Sequence, residues 1–107
     1  MKNILIELYK KIENRVDIDP KESYTASLLK SGNDHCARKF GEESIELIIS
    51  CSKENKENIK KETADVLYHM LVLLVSKKVD FEEVLDVLEM RSGVSGHEEK
   101  KLRQNNN

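Results

Sequence analysis

The sequence has no tryptophan, one proline and four glycines among 107 residues, while 36% of its residues are charged. So few helix breakers in so charged a chain point to an all-α protein of one modest domain, residues 1–107. Long apolar runs are also missing. The longest strictly apolar run, residues 70–75, is far below the roughly 20 residues that span a bilayer, so no membrane partner is expected. Residues 1–8 lack the long apolar region and small-residue cleavage site of a signal peptide, which makes the cytoplasm the expected compartment. Nor is there an excess of positive charge. Eighteen Lys and Arg against 20 Asp and Glu give a net charge of −2 and no electrostatic footprint for nucleic acid. The two cysteines, Cys36 and Cys51, fall on one expected helix at a separation of roughly 22 Å, too far to bridge, and are read as buried free thiols. No Cys/His spacing suggests zinc, and no glycine-rich phosphate loop, Ser/His/Asp arrangement or internal repeat is present.

What the chain does have is two acidic clusters in segments that read as consecutive helices. They are Glu42-Glu43-Ser44-Ile45-Glu46 and Glu62-Thr63-Ala64-Asp65. Residues three apart share a helix face, so Glu43 pairs with Glu46 and Glu62 with Asp65. If the helices pack antiparallel, four carboxylates converge. On a helical wheel Glu62, Asp65, His69 and Ser76 fall within a band about 60° wide, and apolar residues fill most of the rest, so the second helix is expected to be mostly buried. In the first helix, Phe40, Leu47, Ile48 and Cys51 lie on one side of the acidic stripe, and Ile45 and Ile49 on the other. Unpaired charges inside a bundle are costly, which calls for a cation. Helices this apolar in so short a chain also need partners. A homo-oligomer, dimeric or larger, is expected to complete the bundle.

The remaining segments frame this pair. Residues 3–13 form an amphipathic helix with Ile4, Leu5, Leu8 and Ile12 inward, and residues 15–22 form a loop around Pro20. Ser23 caps a short helix over residues 24–30, ended by Gly32. Ser23-Tyr24-Thr25 fits either capping with packing or contact with a substrate. Asn33 or Asp34 caps the first acidic helix, which runs to about residue 52, and Gly41 within it suggests a close backbone approach. Residues 53–61 hold a polar turn, the buried helix extends to about residue 78, and Asp80 with Glu83 forms a capping box for a last helix over residues 81–90. Val84, Leu85 and Leu88 of that helix face inward, and residues 92–107 read as a mobile tail. His35 and His97 read as surface residues, whereas His69 is either a partnered core histidine or a functional one.

A set of carboxylates without a thiolate is a hard-oxygen site, suited to Mg²⁺ or Mn²⁺ rather than zinc or copper. Such a site serves phosphoanhydride hydrolysis. A di-iron bundle needs Glu-x-x-His on two helices, and the acid nearest His69 is Asp65, four residues back. The remaining alternative is a pair of surface salt bridges to Lys39 or Lys61.

Glu43-x-x-Glu46 followed by Glu62-x-x-Asp65 resembles the metal signature of the all-α nucleotide pyrophosphohydrolases, the superfamily of MazG-like enzymes and dimeric dUTPases. Within it, Ser23-Tyr24-Thr25-Ala26-Ser27-Leu28-Leu29, Lys39-Phe40-Gly41-Glu42-Glu43-Ser44-Ile45-Glu46 and Glu62-Thr63-Ala64-Asp65-Val66-Leu67-Tyr68-His69 are similar to the phosphoribosyl-ATP pyrophosphatase family of histidine biosynthesis. Ser95-Gly96-His97-Glu98-Glu99-Lys100 resembles the tail of many members. The resemblance implies a Mg²⁺-dependent hydrolase that converts phosphoribosyl-ATP to phosphoribosyl-AMP and pyrophosphate. It implies Glu43, Glu46, Glu62 and Asp65 as metal ligands, and Glu42 as a further ligand or the base that orients water. Lys39 would offset phosphate charge, with Tyr24, Thr25 and His69 as weaker substrate contacts. Ser44 stands where a small apolar residue is expected. The sequence shows no counterpart of the cyclohydrolase domain fused to this enzyme in some organisms, so the next step is expected on another protein. Two other readings stay open: a housekeeping nucleoside triphosphate pyrophosphohydrolase, and a non-catalytic metal-binding helical module.

Overall fold

The computed structural model describes residues 3–53 and 55–93. Among these residues five helices follow one another: α1 (Ile4–Glu13), α2 (Tyr24–Ser31), α3 (Asn33–Ser52), α4 (Lys56–Ser76) and α5 (Phe81–Ser92). The all-α class is the one expected. The tail motif from Ser95 lies outside the described residues, and Ser92, assigned to the tail from sequence, is the last residue of α5. Among the described residues, no helix is long and apolar enough to cross a membrane.

Helix starts follow their side-chain caps. Asn3 Oδ1 accepts from the amides of Leu5 and Ile6, Ser23 Oγ from Ala26, and Asn55 Oδ1 from Asn58. With Asn55 capping and Glu57 in the first turn, α4 begins at Lys56. The segment 53–61, expected to hold the turn, is therefore helical from Lys56 onward. Asp80 Oδ1 accepts from Glu82, and Glu83 contributes its main-chain amide to the Asp80 carbonyl, so the capping box is replaced by a tighter cap. α3 has no side-chain cap. Gly32, at φ +99°, ends α2 and opens α3 in one residue, a conformation that favours glycine. Asn33, expected as the cap, is already helical and donates Nδ2–H to Ser76 Oγ at 3.0 Å.

That bond fixes one end of the central pair. At the other end Asn58 Nδ2 donates to Ser50 Oγ at 2.8 Å, so α3 and α4 run antiparallel, as the convergence of the acidic clusters requires. The core gathers Tyr9, Ile12, Leu28, Cys36, Leu71, Val72, Val75 and Phe81 around the C-terminal half of α4. Tyr9 adds a polar anchor, donating its hydroxyl to the Val79 carbonyl at 2.6 Å while its ring stacks on Phe81. This anchor turns Tyr9 and Ile12 inward and leaves Ile4, expected inside, exposed.

The N-terminal half of α4 is not buried as expected. Ala64 and Asp65 are exposed, and Val66 and Leu67 are half-buried, because none of the described helices covers that side. Ile45, Ile48 and Ile49 of α3 and Val87, Leu88 and Met90 of α5 are also exposed, which corrects the inward assignment of Leu88. Cys36 is buried and donates its thiol to the Leu28 carbonyl, but Cys51, on the outer face of the last turn of α3, is exposed rather than buried. The site thus lies midway along the α3–α4 pair, where the packed core gives way to exposed residues.

Candidate metal centre

The antiparallel pair sets the i, i+3 carboxylates of one helix against those of the other. One oxygen from each of Glu43, Glu62 and Asp65 lies within 4.8 Å of the others. Glu46 stands within hydrogen-bonding reach of both Glu43 and Glu62. All four residues read from the spacing are therefore brought together. Burial, then the charge of Glu46, pushes the Glu43 carboxyl above its ordinary value, opposed by His69. Burial, then the charges of Glu46 and Asp65, does the same at Glu62.

The donor set fits a hard divalent cation. Carboxylate oxygens are the only ligand type in the cluster, and their mutual repulsion is what a cation relieves. Glu62 Oε2 supplies an independent sign. It is shielded from solvent and has no hydrogen-bond partner among the described residues, a costly state for a carboxylate oxygen unless something binds it. The salt-bridge alternative places a lysine at this position. Lys39 instead pairs with Glu42, at 3.3 Å, outside the cluster.

Glu42 is thus the one expected acid that is not in the cluster. Its side chain is half-exposed, and the ion pair holds it against Lys39. That bond raises the Lys39 ammonium above its usual range. Nothing lies within 4 Å of a Cβ built on Gly41, so no close approach to that backbone is seen among the described residues.

His69 is buried beside the carboxylates. Its Nδ1 lies 2.8 Å from the Asp65 carbonyl oxygen, and since a carbonyl only accepts, Nδ1 carries the proton. Nε2 is shielded and has no partner among the described residues. The imidazole is flanked edge-on by Tyr68, at 4.9 Å between centroids, and by Tyr24, at 6.4 Å. Tyr24 is exposed, and near enough to Lys39 to interact with its charge. Thr25 is half-buried and shares a 2.5 Å hydrogen bond with the Tyr68 hydroxyl. Ser23 thus caps α2, while Thr25 bonds to Tyr68 and Tyr24 meets the His69 ring.

Tyr68 is the site residue that spacing alone missed. It sits three residues after Asp65, the separation that defined the carboxylate pairs, and it is the one hydroxyl-bearing aromatic of α4.

A family model described as phosphoribosyl-ATP pyrophosphohydrolase matches residues 5–92. Similar curated proteins include the phosphoribosyl-ATP pyrophosphatase of Ruegeria sp. (strain TM1040), 47% identical over 100 residues that cover 94% of this chain and 95% of that protein. The phosphoribosyl-ATP pyrophosphatase of Dinoroseobacter shibae is 46% identical over 101 residues, covering 94% and 99%. That of Ignicoccus hospitalis is 46% identical over 92 residues, covering 86% and 90%.

Proposed function

The chain belongs to the phosphoribosyl-ATP pyrophosphohydrolase family, and from that premise we propose that it hydrolyses phosphoribosyl-ATP to phosphoribosyl-AMP and pyrophosphate in histidine biosynthesis, with Mg²⁺ as cofactor. The observation that carries this reading is the convergence of Glu43, Glu62 and Asp65, with Glu46 beside them and a shielded Glu62 oxygen that lacks a partner. The whole chain serves as one hydrolase domain acting in the cytoplasm.

Glu43, Glu46, Glu62 and Asp65 would hold the Mg²⁺, with Mn²⁺ an acceptable substitute for the same hard oxygens. Held there, it would supply charge neutralisation at phosphate oxygens and so a lower barrier to attack by water. The chain's own groups do the rest. Lys39 offsets phosphate charge, and its ion pair with Glu42 keeps the ammonium at the edge of the site until an anion competes for it. Glu42, one residue from the ligand Glu43, orients the attacking water or adds a ligand. Tyr24 and Thr25 border the substrate from α2. His69 offers Nε2 as an acceptor, since Nδ1–H is committed to the Asp65 carbonyl.

Two copies of the chain form the working unit in this reading. Exposed Ile45, Ile48 and Ile49 on α3 and Val87, Leu88 and Met90 on α5 support it, because so many apolar side chains on one small domain are better covered than solvated.

The test is a substrate panel at saturating Mg²⁺: phosphoribosyl-ATP, dUTP, dCTP and ATP, followed by pyrophosphate release. Selective release from phosphoribosyl-ATP is expected. Preference for another nucleotide moves the chain to a housekeeping role, and no release from any of them favours a metal-binding module. Asp65→Asn is expected to lower turnover by orders of magnitude with the fold intact, and unchanged turnover rejects the site assignment.

A further inference from the structure

α2 is held to α4 in two different ways. Ala26 and Leu28 bury on its inner side, but the first turn, which carries exposed Tyr24, is tied by a single side-chain hydrogen bond among the described residues, Thr25 Oγ1 to the Tyr68 hydroxyl. Tyr68 also meets the His69 ring edge-on, with planes at 88°, and Tyr24 approaches the same imidazole from α2 at 76°. The three rings form one unit. Burial pushes the Tyr68 phenol up, so it stays a neutral hydroxyl at working pH.

The exposed part of this unit is Tyr24, which lies within electrostatic range of Lys39. An open aromatic ring within range of an ammonium suits a nucleotide: the ring offers apolar contact to a base or sugar, and the ammonium meets phosphate. The carboxylates lie on α3 and α4 only, so the position of α2 affects this wall and not the cation ligands.

Resting on the hydrolase reading above, we infer that Tyr68 is a positioning residue for the nucleotide. Through its bond to Thr25 it sets where the first turn of α2, and with it Tyr24, stands relative to His69 and Lys39. Tyr68 itself does not contact the reacting phosphates. Losing its hydroxyl weakens the hold on the substrate and leaves the cation site and the chemical step in place.

Four variants of the full chain test this: Tyr68→Phe, Thr25→Val, the two combined, and Thr25→Ser. The readouts are KM and kcat for pyrophosphate release from phosphoribosyl-ATP, the Kd for Mn²⁺ alone by electron paramagnetic resonance, and the melting temperature. Tyr68→Phe and Thr25→Val are each expected to raise KM about tenfold with kcat and Mn²⁺ affinity changed less than about twofold. The double variant should be no worse than either single one, because both remove the same bond. Thr25→Ser, which keeps a hydroxyl, should restore a KM near that of the parent. An unchanged KM in Tyr68→Phe, additive losses in the double variant, or Mn²⁺ affinity that falls together with the melting temperature overturns the inference. If the parent chain turns over the substrate and only the variant effect is missing, this inference fails alone. If the parent releases no pyrophosphate, the hydrolase reading fails and takes the inference with it.

Discussion

His69 donates Nδ1–H to the main-chain oxygen of Asp65, one turn earlier on the same helix, at 2.8 Å. This bond fixes the orientation of the ring and leaves Nε2 as a shielded nitrogen that has no partner among the described residues. His69→Asn keeps an amide donor near the position of Nδ1 and removes Nε2. We expect kcat/KM to fall about ten- to a hundredfold while the melting temperature changes little. Steady-state kinetics beside a thermal melt measure this, and full activity in the variant would reduce His69 to a packing residue.

Repulsion among the carboxylates costs stability when no cation is present. Glu46 acts on both Glu43 and Glu62, so Glu46→Gln removes the largest charge effect on each. The variant should melt higher than the parent chain in EDTA and lower than it in saturating Mg²⁺, and calorimetry under both conditions checks the crossover. A variant that melts lower in both would show Glu46 to be a structural residue.

The same repulsion sets a pH dependence. Glu43 and Glu62 ionise above their ordinary value of 4.5 in the folded chain, first because of burial and then because of Glu46. Between 4.5 and the raised folded values, the folded state therefore holds more protons than the unfolded one. The stability they contribute is present below that ordinary value and is lost as pH rises through the folded values. In EDTA, the parent chain should lose stability from about pH 4.5 towards neutrality relative to a Glu43→Gln, Glu62→Gln double variant, and Mg²⁺ should abolish the difference. Parallel melting curves at every pH would contradict this.

Two backbone positions carry predictions independent of the site's chemistry. Gly41 lies inside α3 with open space where a methyl group would project, so Gly41→Ala should stabilise the isolated fold by about 1 kcal/mol. Lys78 adopts φ 58° just after α4, where the next residue's amide closes onto the Leu74 carbonyl at 3.0 Å. Lys78→Gly should relieve that conformation and stabilise by about 0.5 kcal/mol. Urea unfolding resolves both. A loss of stability in Gly41→Ala would show that a second copy or another partner packs closely against that backbone.

The fold class, the order of the helices and the four converging carboxylates were legible because each follows from local spacing. Two i, i+3 acid pairs on adjacent antiparallel helices have little freedom except to meet. Interactions between elements were not legible. No spacing rule connects Thr25 with Tyr68, 43 residues away, or shows that Lys39 chooses Glu42 over the other acids. The expected burial of Leu88, Cys51 and the first half of α4 followed from hydrophobicity, which states that a face seeks cover without saying whether its own chain supplies it. Asn33 failed as a cap for a related reason. Gly32 turned the chain tightly enough that Asn33 entered the helix and found Ser76 instead.

The most direct test is pyrophosphate release from phosphoribosyl-ATP by the purified chain, measured with Mg²⁺ and again after its removal by EDTA. Release that requires the cation and returns on adding it back is the predicted result. Release that continues unchanged without any divalent cation would contradict the role given to Glu43, Glu46, Glu62 and Asp65.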